Sequence, residues 1–221
     1  MAAGDPQNFE HLAAYERYLI AQNRLSMTSR LTAEVISLNE QTRAYSKSSL
    51  FSELRGSEGP ANTLARTIFF YEVVQLCRLW DKFDASGFSL PTVAALFSEE
   101  VISLVERDRS QNGVPNSAAM VSNLRATLKA VTAVESSREV VRLRNHRHKN
   151  IAHPIYKTRA EQKKAIERVK GDDLDAVVEK TIEIMGVIDS AMTTQTVDYR
   201  VLQATARREA EDFFARVQIA P

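Results

Sequence analysis

Apolar residues recur at intervals of three and four along almost the whole chain, and nowhere do they alternate one by one between turn signals. A period near 3.6 gathers such residues on one face of a helix, whereas a half-buried strand needs a period of two. The chain is therefore expected to be all-α. Seven glycines and six prolines in 221 residues leave few places for turns, so the helices should be long. No internal repeat or low-complexity tract interrupts the pattern.

Phe9, Leu12, Leu19 and Ile20, then Met27, Leu31, Val35 and Leu38, predict one broken or two consecutive amphipathic helices up to about Tyr45. Ser46 to Pro60 breaks the period, and Gly56-Ser57-Glu58-Gly59-Pro60 is the strongest loop signal. From Ala61 to Phe83 apolar residues leave little polar face, which predicts a central, mostly buried helix. Ser89-Leu90-Pro91 reads as an N-cap with proline in the first turn of a helix that carries Val93, Phe97, Val101 and Leu104 and ends before Asn112-Gly113-Val114-Pro115. Ser117 opens a helix through Leu124, Leu128 and Val131, with a hitch near Ser136-Ser137, that runs on toward Pro154. Gly171-Asp172-Asp173 breaks and caps again before Leu174, Val177, Val178, Ile184, Met185 and Ile188, and Tyr199, Leu202, Phe213, Phe214 and Val217 suit a closing helix. The expected organisation is one domain over 1–221, with an N-terminal helical extension at 1–60, a bundle core at 61–195 and a C-terminal helix at 196–221.

Several function classes fall away. No apolar run approaches the roughly eighteen residues of a membrane span, and Met1 to Asn8 lacks a signal peptide's layout, so a cytoplasmic protein without membrane contact is expected. Cys77, the single cysteine, excludes a disulfide framework or a thiolate metal site within one chain, and its apolar neighbours Leu76, Leu79 and Trp80 predict a buried core thiol. Neither common Gly-rich phosphate loop is present, nor His-Glu-x-x-His, nor Glu-x-x-His, so no metal and no cofactor are expected. The net charge of +1 hides an uneven partition. Residues 138–170 hold eleven Lys and Arg against three Glu, a net of +8, while 1–137 carry −2 and 171–221 carry −5. One basic stretch in an acidic remainder points to a polyanion partner.

That stretch contains Arg142 to Pro154, "RLRNHRHKNIAHP", with three of the chain's four histidines. On a regular helical wheel Val134, Val141, Ile151 and Ala152 form an inward stripe that also takes in Arg144 and His148. Arg147 and His153 fall on its two flanks, and His146 is expected in solvent. Pro154 disfavours helical backbone at His153 and so should end the helix there, where the last carbonyls favour a protonated imidazole. An arginine that can hold a phosphate and a histidine titrating near neutrality are the two groups needed to cleave an RNA phosphodiester without a metal.

Arg147-His148-Lys149-Asn150-Ile151-Ala152-His153 resembles the Arg-(polar)-x(n)-His signature of the HEPN superfamily, and its closest flavour is the AbiU-like abortive-infection branch. Leu76 to Phe97, "LCRLWDKFDASGFSLPTVAALF", is similar to that branch too, with an Arg-Leu-x-Asp ending at Arg78 to Asp81 and a Ser-Leu helix start at Ser89-Leu90. The resemblance implies an all-α, HEPN-like helical bundle with additional N- and C-terminal helices. It also implies a homodimer in which two motifs face one cleft, and a metal-independent endoribonuclease serving as a toxin or phage-defence component. Arg147 and His153 would be catalytic. His148 would orient them or bind RNA, and Asn150, Arg144, Lys149 and Tyr156 would support the site or the RNA. An antitoxin or nucleotidyltransferase partner is implied as well, although Tyr156 lies three residues after His153, where some toxin members place a modified tyrosine at two. Arg144-Asn145 also starts like the motif, but its gap to His153 is too long. Two rivals stand beside this reading: a non-catalytic HEPN-like adaptor that binds protein or nucleic acid, and a helix-turn-helix DNA regulator, for which the sequence offers no short recognition helix after a tight turn.

Overall fold

The computed structural model describes residues 9–54, 59–152, 156–193 and 197–217, and all regular structure among them is helical. A 3₁₀ turn at Phe9–His11 leads into α1 (Ala14–Lys47), followed by α2 (Ser49–Leu54), α3 (Pro60–Leu79), α4 (Leu90–Ala94), α5 (Glu99–Gln111) and α6 (Ser117–Glu135). Then come α7 (Arg138–His146), a π-helical turn at Arg147–Ala152, α8 (Arg159–Lys163), α9 (Gly171–Met192) and α10 (Tyr199–Arg216).

The helix expected as a broken N-terminal extension is unbroken and lies within the bundle. α1 packs against α3, α5, α9 and α10, so it is covered on several sides and its buried residues, among them Leu25, Leu31, Val35, Ile36 and Asn39, do not form one stripe. Its two buried threonines close their hydroxyls onto the preceding turn, Thr28 on Arg24 and Thr32 on Thr28, and Thr28 also reaches the Phe88 carbonyl at 2.7 Å. The expected break after Tyr45 holds a further short helix, α2, and Gly56-Ser57-Glu58 lie outside the described residues.

α3 is central only in its second half. Val73, Leu76, Cys77 and Leu79 are buried, while Leu64 near its start is 56% exposed. It ends at Leu79, four residues before the expected Phe83, and Trp80 follows in the core, where its indole N–H donates to Thr181 Oγ1 at 2.9 Å. The next expected helix is two. Ser89 caps α4, with its hydroxyl accepting from the Thr92 N–H, and Ser98 caps α5 by accepting from Val101. A second capping serine inside one apolar stripe is a restart signal that periodicity alone passes over.

The hitch near Ser136-Ser137 is a full break. Ser137 caps α7 by accepting from the Val140 N–H, and the new helix has its own phase. Val140, Arg142 and Leu143 are buried, whereas Val141, predicted on the inward stripe, is exposed. After Lys170 the Asp173 carboxylate accepts from the Lys170 N–H at 2.8 Å and starts α9. The main core runs from Phe9 to Tyr199 through α1, α3, α6, α7 and α9. Ala44, Leu50, Ala210 and Phe214 form a second, separate cluster at the end of the molecule where α1 meets α10, with Tyr45 and Val217 packed on it.

Candidate functional site

α7 carries the basic motif and is clamped at both ends. Arg142, only 5% exposed, donates to Asp173 Oδ1 at 2.7 Å and to Glu167, and so ties α7 to the start of α9. Arg144 points its guanidinium at the Trp80 carbonyl and at the carbonyl of Glu135, with the Glu135 carboxylate 3.5 Å away. This arginine caps the end of α3 and so ties α7 to it.

Beyond His146 the backbone widens into the π-helical turn, which places one more residue in the turn than an α-helix would. Pro154 has no N–H to give to the Asn150 carbonyl, so regular α-helical bonding cannot be completed there. The widened turn, added to the break at Ser137, is why a uniform wheel misplaces these residues: His148 and Ala152, predicted inward, are exposed, and Ile151 is half-buried.

Arg147 sits where α7 enters this turn. Its Nη1 donates to Asp81 Oδ2 at 3.0 Å and its Nη2 to Asp81 Oδ1 at 2.9 Å, a two-point pair with the residue just past the end of α3. Burial works against its charge, but the Asp81 hydrogen bonds and nearby negative charge outweigh it and hold its pKa above the usual arginine value. The pair occupies two of the five guanidinium N–H groups and fixes the plane of the rest. Cys77 lies close enough to feel both partners. Burial pushes its thiol up to about 12, with Arg147 opposing and Asp81 adding to the shift, so it is a core thiol and stays protonated.

His146 is half-buried, not solvated as expected. Its ring meets Phe69 edge-on at 5.9 Å between centroids and Phe70 at 6.0 Å, and its Nδ1 lies 3.1 Å from the Asn150 amide nitrogen. Burial, helped by the Lys149 charge, lowers its pKa and keeps the ring neutral. Asn145 accepts the Thr158 hydroxyl at 2.6 Å, and Thr158 caps α8 together with Glu161, which also holds Lys149 at 3.1 Å. Tyr156, a supporting candidate, is 87% exposed and touches Lys157 through its ring. His153 lies outside the described residues.

Around these groups opens a cleft of about 470 Å³, with Phe69 on one wall and Asn145, His146 and Asn150 on another. Of the eleven cations at 138–170, the first five are matched with carboxylates. Lys157, Arg159, Lys163, Lys164, Arg168 and Lys170 are exposed, and none has a carboxylate of the described residues within ion-pair distance. Among the described residues no group of three or more His, Cys, Asp or Glu could hold a metal ion, and no helix is long and apolar enough to cross a membrane.

The family model HEPN_AbiU2, described as AbiU2, matches residues 22–213 and so covers most of α1 and most of α10 as well as the motif. The chain belongs to the AbiU2 family of HEPN domains. No curated protein and no solved structure matches it. Membership in the AbiU2 family agrees with the all-α bundle. Sequence reasoning carried Asp81 within an AbiU-like segment without giving it a partner, and it did not select Phe69, Asn145 or Arg168. An acidic residue near the end of a helix predicted to be mostly buried, which needs a cationic partner, was the available signal for Asp81.

Proposed function

We propose that this AbiU2-family protein is a metal-independent endoribonuclease and a component of phage defence, with a site formed across a homodimer. The observation that carries the reading is Arg147, locked by Asp81, in a segment that also bears six exposed cations with no carboxylate of the described residues within ion-pair distance. Such cations serve a polyanion through counterion release, and a guanidinium with three N–H groups left is preorganised for a phosphate. In this reading the 2′-hydroxyl attacks the adjacent phosphorus. A new P–O2′ bond forms while the P–O5′ bond breaks, one proton leaves the 2′-oxygen and another reaches the 5′-oxygen. His153 acts as base or acid in these transfers, and Arg147 meets the charge that grows on the phosphorane oxygens. The exposed His148 holds the strand, with the half-buried Lys149 beside it in sequence.

The test is RNA cleavage by wild type and His153→Ala with RNA affinity measured in parallel. We expect cleavage to survive EDTA, to leave 2′,3′-cyclic phosphate and 5′-hydroxyl ends, and to fall about a hundredfold or more in His153→Ala with affinity kept. Equal cleavage by both proteins, or cleavage lost in EDTA and restored by a divalent ion, overturns the mechanism. Binding without any cleavage is the result a non-catalytic adaptor would give.

A further inference from the structure

The cleft lined by Phe69, Asn145, His146, Asn150 and Arg168 carries chemistry that the cleavage reaction does not use. Its volume of about 470 Å³ lies within the range of roughly 300 to 1,000 Å³ typical of small-ligand sites. Its two carboxylates are already committed, Glu161 to Lys149 and Glu167 to Arg138 and Arg142. Arg168 is the lining cation left without a carboxylate among the described residues.

Two amides in the same cleft have opposite unmet needs. Asn145 spends its carbonyl oxygen on the Thr158 hydroxyl, which leaves its NH₂ without an acceptor among the described residues. Asn150 aims its NH₂ at the His146 ring nitrogen and at the His146 carbonyl, 3.1 and 3.3 Å away, which leaves its side-chain oxygen without a donor among the described residues. The His146 carbonyl can only accept, so the contact to it fixes which way the Asn150 amide faces, and the same NH₂ then donates to Nδ1 of the ring. Phe69 adds aromatic surface.

A donor, an acceptor and an aromatic surface beside one cation match the edge, the face and the phosphate of a nucleotide, and single-stranded RNA is read through unstacked bases in this way. We propose that this cleft is a subsite for one unstacked base of a single-stranded RNA, with Asn145 and Asn150 reading its hydrogen-bonding edge and Arg168 holding a neighbouring phosphate. The inference rests on the reading above that RNA is the substrate, and it adds a preference for one base of the bound strand.

The experiment measures binding of the full chain to four labelled 2′-O-methyl hexamers, all-A, all-C, all-G and all-U, which lack the attacking hydroxyl. Wild type should prefer one of them at least fivefold. Asn145→Asp keeps the oxygen that accepts from Thr158 but turns a donor into an acceptor, so the order of preference should change, whereas simple repulsion would weaken all four equally. Phe69→Leu should weaken the preferred hexamer at least fivefold and the others within twofold. Asn150→Ala, on an exposed side chain, repeats the test if either variant fails to melt cooperatively. Equal binding of all four probes to wild type, or a uniform loss in the variants, overturns the subsite. Cleavage without base preference sinks the subsite and leaves the ribonuclease, while base-selective binding without cleavage does the reverse.

Discussion

Glu72 is the residue whose protonation most directly couples to folding. It is fully buried on α3, where it accepts from Asn39 at 2.9 Å and from Thr42 at 2.6 Å, both on α1, and Asp175 on α9 shares the Asn39 amide. Burial raises its pKa from 4.5 to about 7 against the pull of the Thr42 and Asn39 hydrogen bonds, and the Asp175 charge adds to the rise. Between these two pH values the folded protein keeps a proton that the unfolded chain has released. Its contribution is therefore full below pH 4.5 and is lost as pH rises through about 7, a change of about 3 kcal/mol. Glu72→Gln cannot ionise, so urea midpoints of the variant should be flatter than wild type between pH 4.5 and 7. An unchanged slope would mean that Glu72 does not titrate there. Glutamate in the middle of an apolar helix gave no sign of this in the sequence, because its partners lie more than thirty positions away or on another helix.

At the scale of elements, α7 is held by a buried ion pair more than by its own length. Removing one side of such a pair strands the other, at a cost of roughly 3 to 5 kcal/mol. Arg142→Ala should therefore destabilise the protein by about that much in chemical denaturation, with Asp173 left unpaired in the core; a loss under about 1 kcal/mol would show that water replaces the arginine. The long helices α6, α9 and α10 were legible in apolar spacing, since each buries a face that periodicity reports, whereas α1, covered on several sides, read as broken or double. The breaks were not. Ser98 and Ser137 restart helices through one hydroxyl each, and a single polar residue inside an apolar stripe does not disturb the period. The same limit applied to the site. Arg147 was found by its spacing to His153, but the wheel that placed His148 and Val141 inward assumed one continuous α-helix across a break and a π-helical turn.

For the whole molecule, the homodimer of the functional reading makes a measurable demand: light scattering at micromolar concentration should give twice the mass of the 24.8 kDa chain, and a monomer at that concentration removes the shared cleft. The architecture also divides its protection unevenly. The small cluster of Ala44, Leu50, Ala210 and Phe214 is separate from the main core, although α1 and α10 run through both neighbourhoods. Two alanines, one leucine and one phenylalanine with their aromatic cover resist opening far less than a core of Trp80, Leu25 and their neighbours. Amides of 40–47 and 207–214 should exchange with deuterium well before those of 73–79 and 177–188, and uniform exchange across all four would contradict this. The bundle thus has a soft pole and a hard one, and the soft pole is where a protease would first cut a chain whose motif end is still folded.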